Sequence, residues 1–295
     1  MLKLITLLAF AFAACNGDAI QNLERFGSLN KYYYYSNAQR NSITLTEDHF
    51  PTGNDTAAPF NNNWDIVVII HGHSGTATTT INPIVKDAFL TSGDYNVIVV
   101  DWSSFSLSTY STAVMAVTGV GSSIATFLKN LKLPLNKVHI VGFNLGAHVA
   151  GVTGRNLEGK VARITGLDPS ARDWENNVLR LGTNDAQYVE VIHTDGSGVN
   201  KNGLGVAIGH IDFFVNGRLV QPGCTNNLCS HNRAYEVFAA TITHGKHYGN
   251  QCSTEAEITA NNCRGFIVEM GTAKLVKHGS GMFRVNTGMR YPFHL

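Results

Sequence analysis

Charge is the first thing this sequence lacks. Asp, Glu, Lys and Arg make up only 15% of its 295 residues and the formal net charge is +1. No basic or acidic run occurs, which excludes the electrostatic footprint of a nucleic-acid or polyanion binder. Internal repeats and low-complexity tracts are also missing, so solenoid and disordered architectures are excluded. The 29 glycines are scattered through tight connections. Past the N-terminus no stretch reads as long and apolar enough for a transmembrane helix. The sequence has no CxxC pair. Cys224/Cys229 and Cys252/Cys263 leave four and ten residues between partners, spacings that argue against zinc, and neither a metal nor a cofactor is expected.

A hydrophobic content of 44% supports a sizeable core and one large α/β domain. Met1 to Lys3 make a short positive start, Leu4 to Phe12 an apolar run, and Ala11, Ala13 and Ala14 a small-residue cleavage region. Residues 1–17 therefore read as an export leader and 18–295 as a single domain of a secreted, extracellular protein. A buried N-terminal helix is the competing reading, against which stands the polar stretch that follows at once. Cys15 lies at the cleavage region. For the four later cysteines, sequential pairing (Cys224–Cys229, Cys252–Cys263) is expected, one of three connectivities. Asn54-Asp-Thr56 is the N-glycosylation acceptor pattern, in a polar loop.

Short apolar runs bounded by glycine follow a tyrosine-rich start. Tyr32 to Tyr35 and Ser42 to Thr46 read as early antiparallel strands. Asp65–Ile70, Tyr95–Val100, Lys137–Val141, Ala162–Leu167 and Tyr188–Ile192 read as buried parallel strands. Helical spacing marks Ile81–Leu90, Ser111–Leu131 and Leu145–Asn156. The rhythm predicts a mostly parallel, doubly wound sheet with helices on both faces. Chemistry is then expected at the carboxyl ends of strands, in the loops at 70–75, 142–146 and 167–170.

The informative segment is Val138-His-Ile-Val-Gly-Phe-Asn-Leu-Gly-Ala-His-Val-Ala-Gly151. A strand runs through Gly142-Phe-Asn-Leu-Gly146 into a helix, the context of a G-x-S-x-G nucleophile elbow with asparagine at its centre. Taken alone, the segment is read better as a small-residue turn that packs a helix on a sheet. Further stretches change that weighting: Asp94 to Ser103, Leu145 to Gly151, Gly166-Leu-Asp-Pro169, Val191-Ile-His-Thr-Asp195, Gly209 to Phe213, Asn216-Gly217, Gln221-Pro-Gly-Cys224 and Cys229-Ser-His-Asn-Arg233. With them the chain resembles the animal pancreatic lipase and phospholipase A1 family, insect members included.

The resemblance implies an α/β-hydrolase fold and a triad in the order Ser, Asp, His. Those positions are Asn144, Asp168 and His231, with His231 expected in a loop after Cys229. The oxyanion hole would use the backbone N–H groups of His73 and Leu145; His73 departs from the aromatic residue usual in the family, while His71 and Gly72 match its His-Gly pair. Where pancreatic members carry a long lid between the cysteines matching Cys224 and Cys229, only Thr225-Asn-Asn-Leu228 stands here, closer to phospholipase A1-like members. The C-terminus falls near the family's catalytic-domain boundary, so no β-sandwich and no colipase-like partner are expected. The implied partners are a lipid or ester ligand and a membrane or lipid-particle surface. Because a carboxamide cannot replace a serine nucleophile, the reading is a catalytically silent lipid-ester binding, transport or storage protein. The alternatives are an active carboxylic ester hydrolase, with Ser74, Ser103 or Ser104 as relocated nucleophile or with Asn144 deamidated to an attacking aspartate (a change that Leu145, in place of glycine, disfavours through a cyclic imide), and a purely structural secreted protein.

Overall fold

The computed structural model describes residues 27–52, 59–79 and 81–295. The expected leader at 1–17 and the Asn54 acceptor lie outside the described residues. In chain order the strands are β1 (Lys31–Tyr35), β2 (Ile43–Leu45), β3 (Asp65–Ile70), β4 (Tyr95–Asp101), β5 (Val138–Phe143), β6 (Arg163–Leu167), β7 (Val189–His193), β8 (Ile211–Val215), β9 (Tyr248–Cys252), β10 (Ile267–Glu269) and β11 (Gly281–Val285). The helices are α1 (Ile81–Ser92), α2 (Ser103–Ser106), α3 (Tyr110–Asn130), α4 (Leu145–Asn156), α5 (Asn227–Thr243) and α6 (Glu255–Ala260).

The strands form one sheet in the order β10-β9-β11-β8-β7-β6-β5-β3-β4-β1-β2. From β4 to β11 across its middle every pairing is parallel. The two edges are antiparallel. Central strands such as Asp65-Ile-Val-Val-Ile-Ile70 bury side chains on both faces, because helices cover both. On one face α3 and α4 pack with Ile66, Val68, Ile140 and Ile164; on the other α1 and α5 pack with Val67, Ile69, Val141 and Phe213. This is the α/β-hydrolase architecture, and its parallel strands deliver the loops after β3, β5, β6 and β7 to one end.

Two expectations need correction. The Tyr110–Asn130 helix is long and apolar enough to cross a membrane by length and composition, with 21 residues and an 18-residue stretch within it of mean hydropathy 1.4. Half of that stretch is buried in the protein: Ala116, Val117, Val120 and Ile124 lie in the same core as Val149 and Val152 of α4. His231 lies not in a loop but in α5. The helix starts earlier than an apolar pattern suggests because Asn226 caps it, its Oδ1 accepting from the Cys229 N–H at 2.8 Å. The buried face of Ala234, Val237, Phe238 and Thr241 then carries it onward.

Beneath the segment after β10 lies a buried polar layer on the α5 face of the sheet. Arg163 and Glu190 are fully buried and 3.3 Å apart, and Lys277 Nζ is 2.7 Å from Glu190. Arg163 also donates to the carbonyls of Gly271, Thr272 and Lys274. One carboxylate thus compensates two buried cations. Glu190→Gln is expected to lower unfolding free energy by about 3–5 kcal/mol, the scale for leaving buried charges unpaired. Urea denaturation reads this directly; a loss within noise would show the layer to be dispensable.

His148 on α4 adds a pH dependence. It is fully buried, its Nε2 donates to the Ser170 carbonyl at 2.9 Å, and its Nδ1 accepts the Leu181 N–H at 3.2 Å. Burial pulls its pKa from 6.5 down to about 3. The unfolded chain therefore binds the proton first as pH falls. Stability from this group is present above 6.5 and is lost progressively toward 3, by about 1.4 kcal/mol at about pH 5.5. Urea midpoints at about pH 7.5 and 5.5 should show that loss, and His148→Gln should flatten it; an unchanged slope in the variant would assign it elsewhere.

Candidate active site

Residue 144 sits where β5 turns into α4 with no loop between them. Its φ of 55° and ψ of −121° lie in a sparsely populated region for a residue with a side chain. The turn closes this tightly because its flanks have no Cβ. One on Gly142 would lie 2.2 Å from the Gly146 carbonyl oxygen, and one on Gly146 would lie 2.3 Å from the Ile70 carbonyl oxygen. The result aims the partly exposed Asn144 side chain out of the sheet end, toward the loop after β3 and the start of α5.

Both ends of that side chain find partners. Asn144 Oδ1 accepts the backbone N–H of His73 at 3.1 Å, and Asn144 Nδ2 lies 3.0 Å from His231 Nε2. The His73 N–H can only donate, so it requires the amide oxygen on its side and leaves the NH2 facing the imidazole. The amide then donates to Nε2, and the imidazole carries its proton on Nδ1. That proton goes to Asp168 Oδ2 at 2.5 Å.

Asp168 follows β6 directly with φ of 41° and is fully buried. Its Oδ1 accepts the N–H groups of Thr194 at 2.8 Å and Asp195 at 3.1 Å, so both carboxylate oxygens are held. The ring of His231 packs at 4.5 Å on Phe143, the residue before the elbow centre. Thr194 is held in turn: its hydroxyl donates to the His231 carbonyl at 3.3 Å, and its own carbonyl accepts from Gln221 Nε2 at 2.8 Å. Asn227 Nδ2 donates to Asp195 Oδ1 at 2.8 Å, tying the start of α5 to the loop after β7.

Five expected site residues come together here: Asn144, Asp168, His231, His73 and Leu145, the last as the buried first residue of α4. Sequence reasoning assigned no role to Thr194, Asp195, Gln221 or Asn227. The first three lay in recognised stretches, but only the fold shows them bracing Asp168. Of the candidate serines, Ser74 Oγ bonds to His73 Nδ1 at 3.3 Å and Ser103 and Ser104 open α2; the group facing His231 Nε2 is the Asn144 amide. The His73 ring contacts the segment between α2 and α3, its Nε2 3.0 Å from the Ser108 carbonyl oxygen and its ring centroid 5.4 Å from that of Tyr110.

The loop carrying His73 is fastened to the end of β4. Trp102 donates its Nε1–H to the His71 carbonyl at 2.8 Å. Burial would raise the Asp101 carboxyl, but hydrogen bonds from His71 and Ser103 outweigh it and hold the pKa down to about 2. The pairs Cys224–Cys229 and Cys252–Cys263 are both disulfide-bonded. The first spans the segment where a longer lid was the family alternative; there Asn226 serves as the α5 cap and Leu228 is exposed. Among the described residues no group of three or more His, Cys, Asp or Glu is placed to hold a metal ion.

Comparison with known proteins follows the same line. The chain is 34% identical over 248 residues to pancreatic lipase-related protein 2 of Cavia porcellus, covering 79% of this chain and 56% of that protein. It is 34% identical to pancreatic triacylglycerol lipase of Myocastor coypus, over 66% of this chain and 49% of the relative. It is 38% identical to phospholipase A1 member A of Rattus norvegicus, over 62% and 42%. The chain thus spans about half the length of the curated relatives it matches. The family model described as Lipase matches residues 21–280, so this α/β-hydrolase chain, with asparagine at the centre of its elbow, belongs to the Lipase family.

Proposed function

We propose that this protein is a secreted, catalytically silent lipase homologue that binds lipid carboxylic esters in a carrier or storage role. The relatives' names, triacylglycerol lipase and phospholipase A1, support the ligand class, and two disulfides support an extracellular setting. One observation carries the silence: the Asn144 carboxamide spans the His73 N–H and His231 Nε2.

A serine in that place would donate its O–H to Nε2, lose the proton to it and attack a carbonyl carbon. Asparagine keeps the donor and loses the nucleophile, because the nitrogen lone pair is delocalised into the carbonyl. Its Oδ1 also takes the N–H that would polarise an ester carbonyl. A ligand carbonyl must therefore displace the side chain to reach that donor. Asp168 and His231 remain a hydrogen-bonded pair with no nucleophilic side chain to activate.

The reading is tested by ester hydrolysis. Asn144→Ser restores the nucleophile and empties the N–H of His73 in one change. Loss of a serine nucleophile costs about six orders of magnitude in a serine protease, so Asn144→Ser should exceed the native chain on a short-chain ester and a phospholipid by at least ~10³. The native chain should match Asn144→Ala. A native rate clearly above Asn144→Ala would overturn the proposal.

A further inference from the structure

The same contacts put the Asn144 amide in the pose of a substrate. Its carbonyl oxygen is on a backbone N–H, its NH2 is on the base, and the base is backed by a buried carboxylate. Amide hydrolysis needs a donor for the developing oxyanion and an imidazole that takes a proton from water and returns it to the leaving nitrogen, and both such groups touch this amide. Residue 144 is partly exposed, which places the amide at the border with solvent. We propose that Asn144 is a self-modification site, slowly hydrolysed to aspartate by the Asp168–His231 pair of its own chain. The inference rests on the reading of that pair as an intact acid–base device.

In the step, the Asn144 Nδ2–H releases His231 Nε2, a water takes its place there, and the water oxygen bonds to Asn144 Cγ while its proton passes to Nε2. The negative charge forms on Oδ1, against the His73 N–H, and the imidazolium is stabilised by Asp168. Collapse breaks the Cγ–Nδ2 bond as His231 returns the proton to Nδ2. Ammonia leaves and takes up the proton of the new carboxyl, so the products are a carboxylate at position 144 and ammonium. Nothing is oxidised or reduced, and water is the sole co-reactant. The new carboxylate lies beside His231 Nε2, where opposite charge favours the imidazolium. The site then holds an anion in place of a neutral amide.

Spontaneous deamidation takes another route, attack by the following backbone nitrogen through a cyclic imide, which needs no histidine and yields isoaspartate as well as aspartate. The Leu145 side chain hinders it at position 144. Asn202-Gly203 and Asn216-Gly217, with Asn16-Gly17 where the first residues are retained, are the favoured sites for that route once the chain is unfolded.

The test is peptide mapping by mass spectrometry after prolonged incubation in heavy-oxygen water at neutral pH, for the native chain, His231→Gln, Asp168→Asn and the urea-unfolded native chain. Near-ultraviolet circular dichroism checks that each variant is folded. In the folded native chain, residue 144 should become α-linked aspartate carrying one heavy oxygen. The rate should exceed that of His231→Gln by about a hundredfold or more, the usual contribution of a general base, with Asp168→Asn also slowed. In the unfolded chain the order should reverse, the Asn-Gly pairs converting first and Asn144 persisting. Persistence of the Asn144 amide in the folded chain, conversion equally fast in His231→Gln, or isoaspartate as the product would each overturn the proposal. Should Asn144 persist while Asn144→Ser hydrolyses esters, this inference fails alone and the silent-lipase reading stands.

Discussion

The site depends on an absence of atoms. Between the end of β5 and the start of α4 the chain reverses in a space that holds no Cβ at Gly142 or Gly146, and a Cβ on Gly72 would fall 2.6 Å from that of Asn144. Three elements meet there: the elbow, the loop after β3 and the first turn of α4. Their approach forces residue 144 into a backbone conformation that costs on the order of 1–3 kcal/mol, and the packed sheet on either side sustains it. The strain is what aims the side chain. Once 144 is aimed, its neighbours are settled by topology, since β3, β5, β6 and β7 run parallel and end together.

The consequence for chemistry is specific. The amide of Asn144 satisfies the two groups that a catalytic cycle would leave free, a backbone donor and an imidazole acceptor. An unmet donor and acceptor at this half-buried turn would cost free energy wherever water did not satisfy them; asparagine meets both with one planar group. The replacement is therefore accommodated without disturbing the pair behind it. Asp168 keeps its two backbone donors, and Gln221, Asn227 and the Cys224–Cys229 bridge hold the surrounding loops. On the proposed reading, a catalytic apparatus remains assembled around a group that occupies it.

Stability and site share one framework. His148 in α4 is held neutral by burial and bonds Ser170 and Leu181, so the helix that begins at the elbow is tied to the segment that follows Asp168. Acid that protonates this histidine weakens the same elements that position residues 144 and 168. On the other face, the Arg163–Glu190–Lys277 group ties the central strands to the segment after β10.

Much of this was legible in the linear chain. The β-branched runs from Asp65 to Ile192 and the amphipathic spacing between them dictated a parallel sheet covered on both faces, because only burial on both sides suits such strands. Gly142 and Gly146 around Asn144 dictated a tight strand-to-helix turn, and the chemistry of a carboxamide in place of a hydroxyl follows from the residue alone. The strands from β8 onward were not read: Tyr248–Cys252 is rich in Gly, Asn and Gln and carries no strong periodicity, and Ile267–Glu269 is too short to show one, while the apolar Ile211–Val215 was a signal that could have been found. Nor was the helical setting of His231, where a side-chain cap rather than an apolar stripe starts the helix. Only the tertiary structure decided which way the Asn144 amide points and what it touches. Its partners, at positions 73 and 231, are distant in sequence, and the geometry that joins them is made by parallel strands ending at one edge of the sheet.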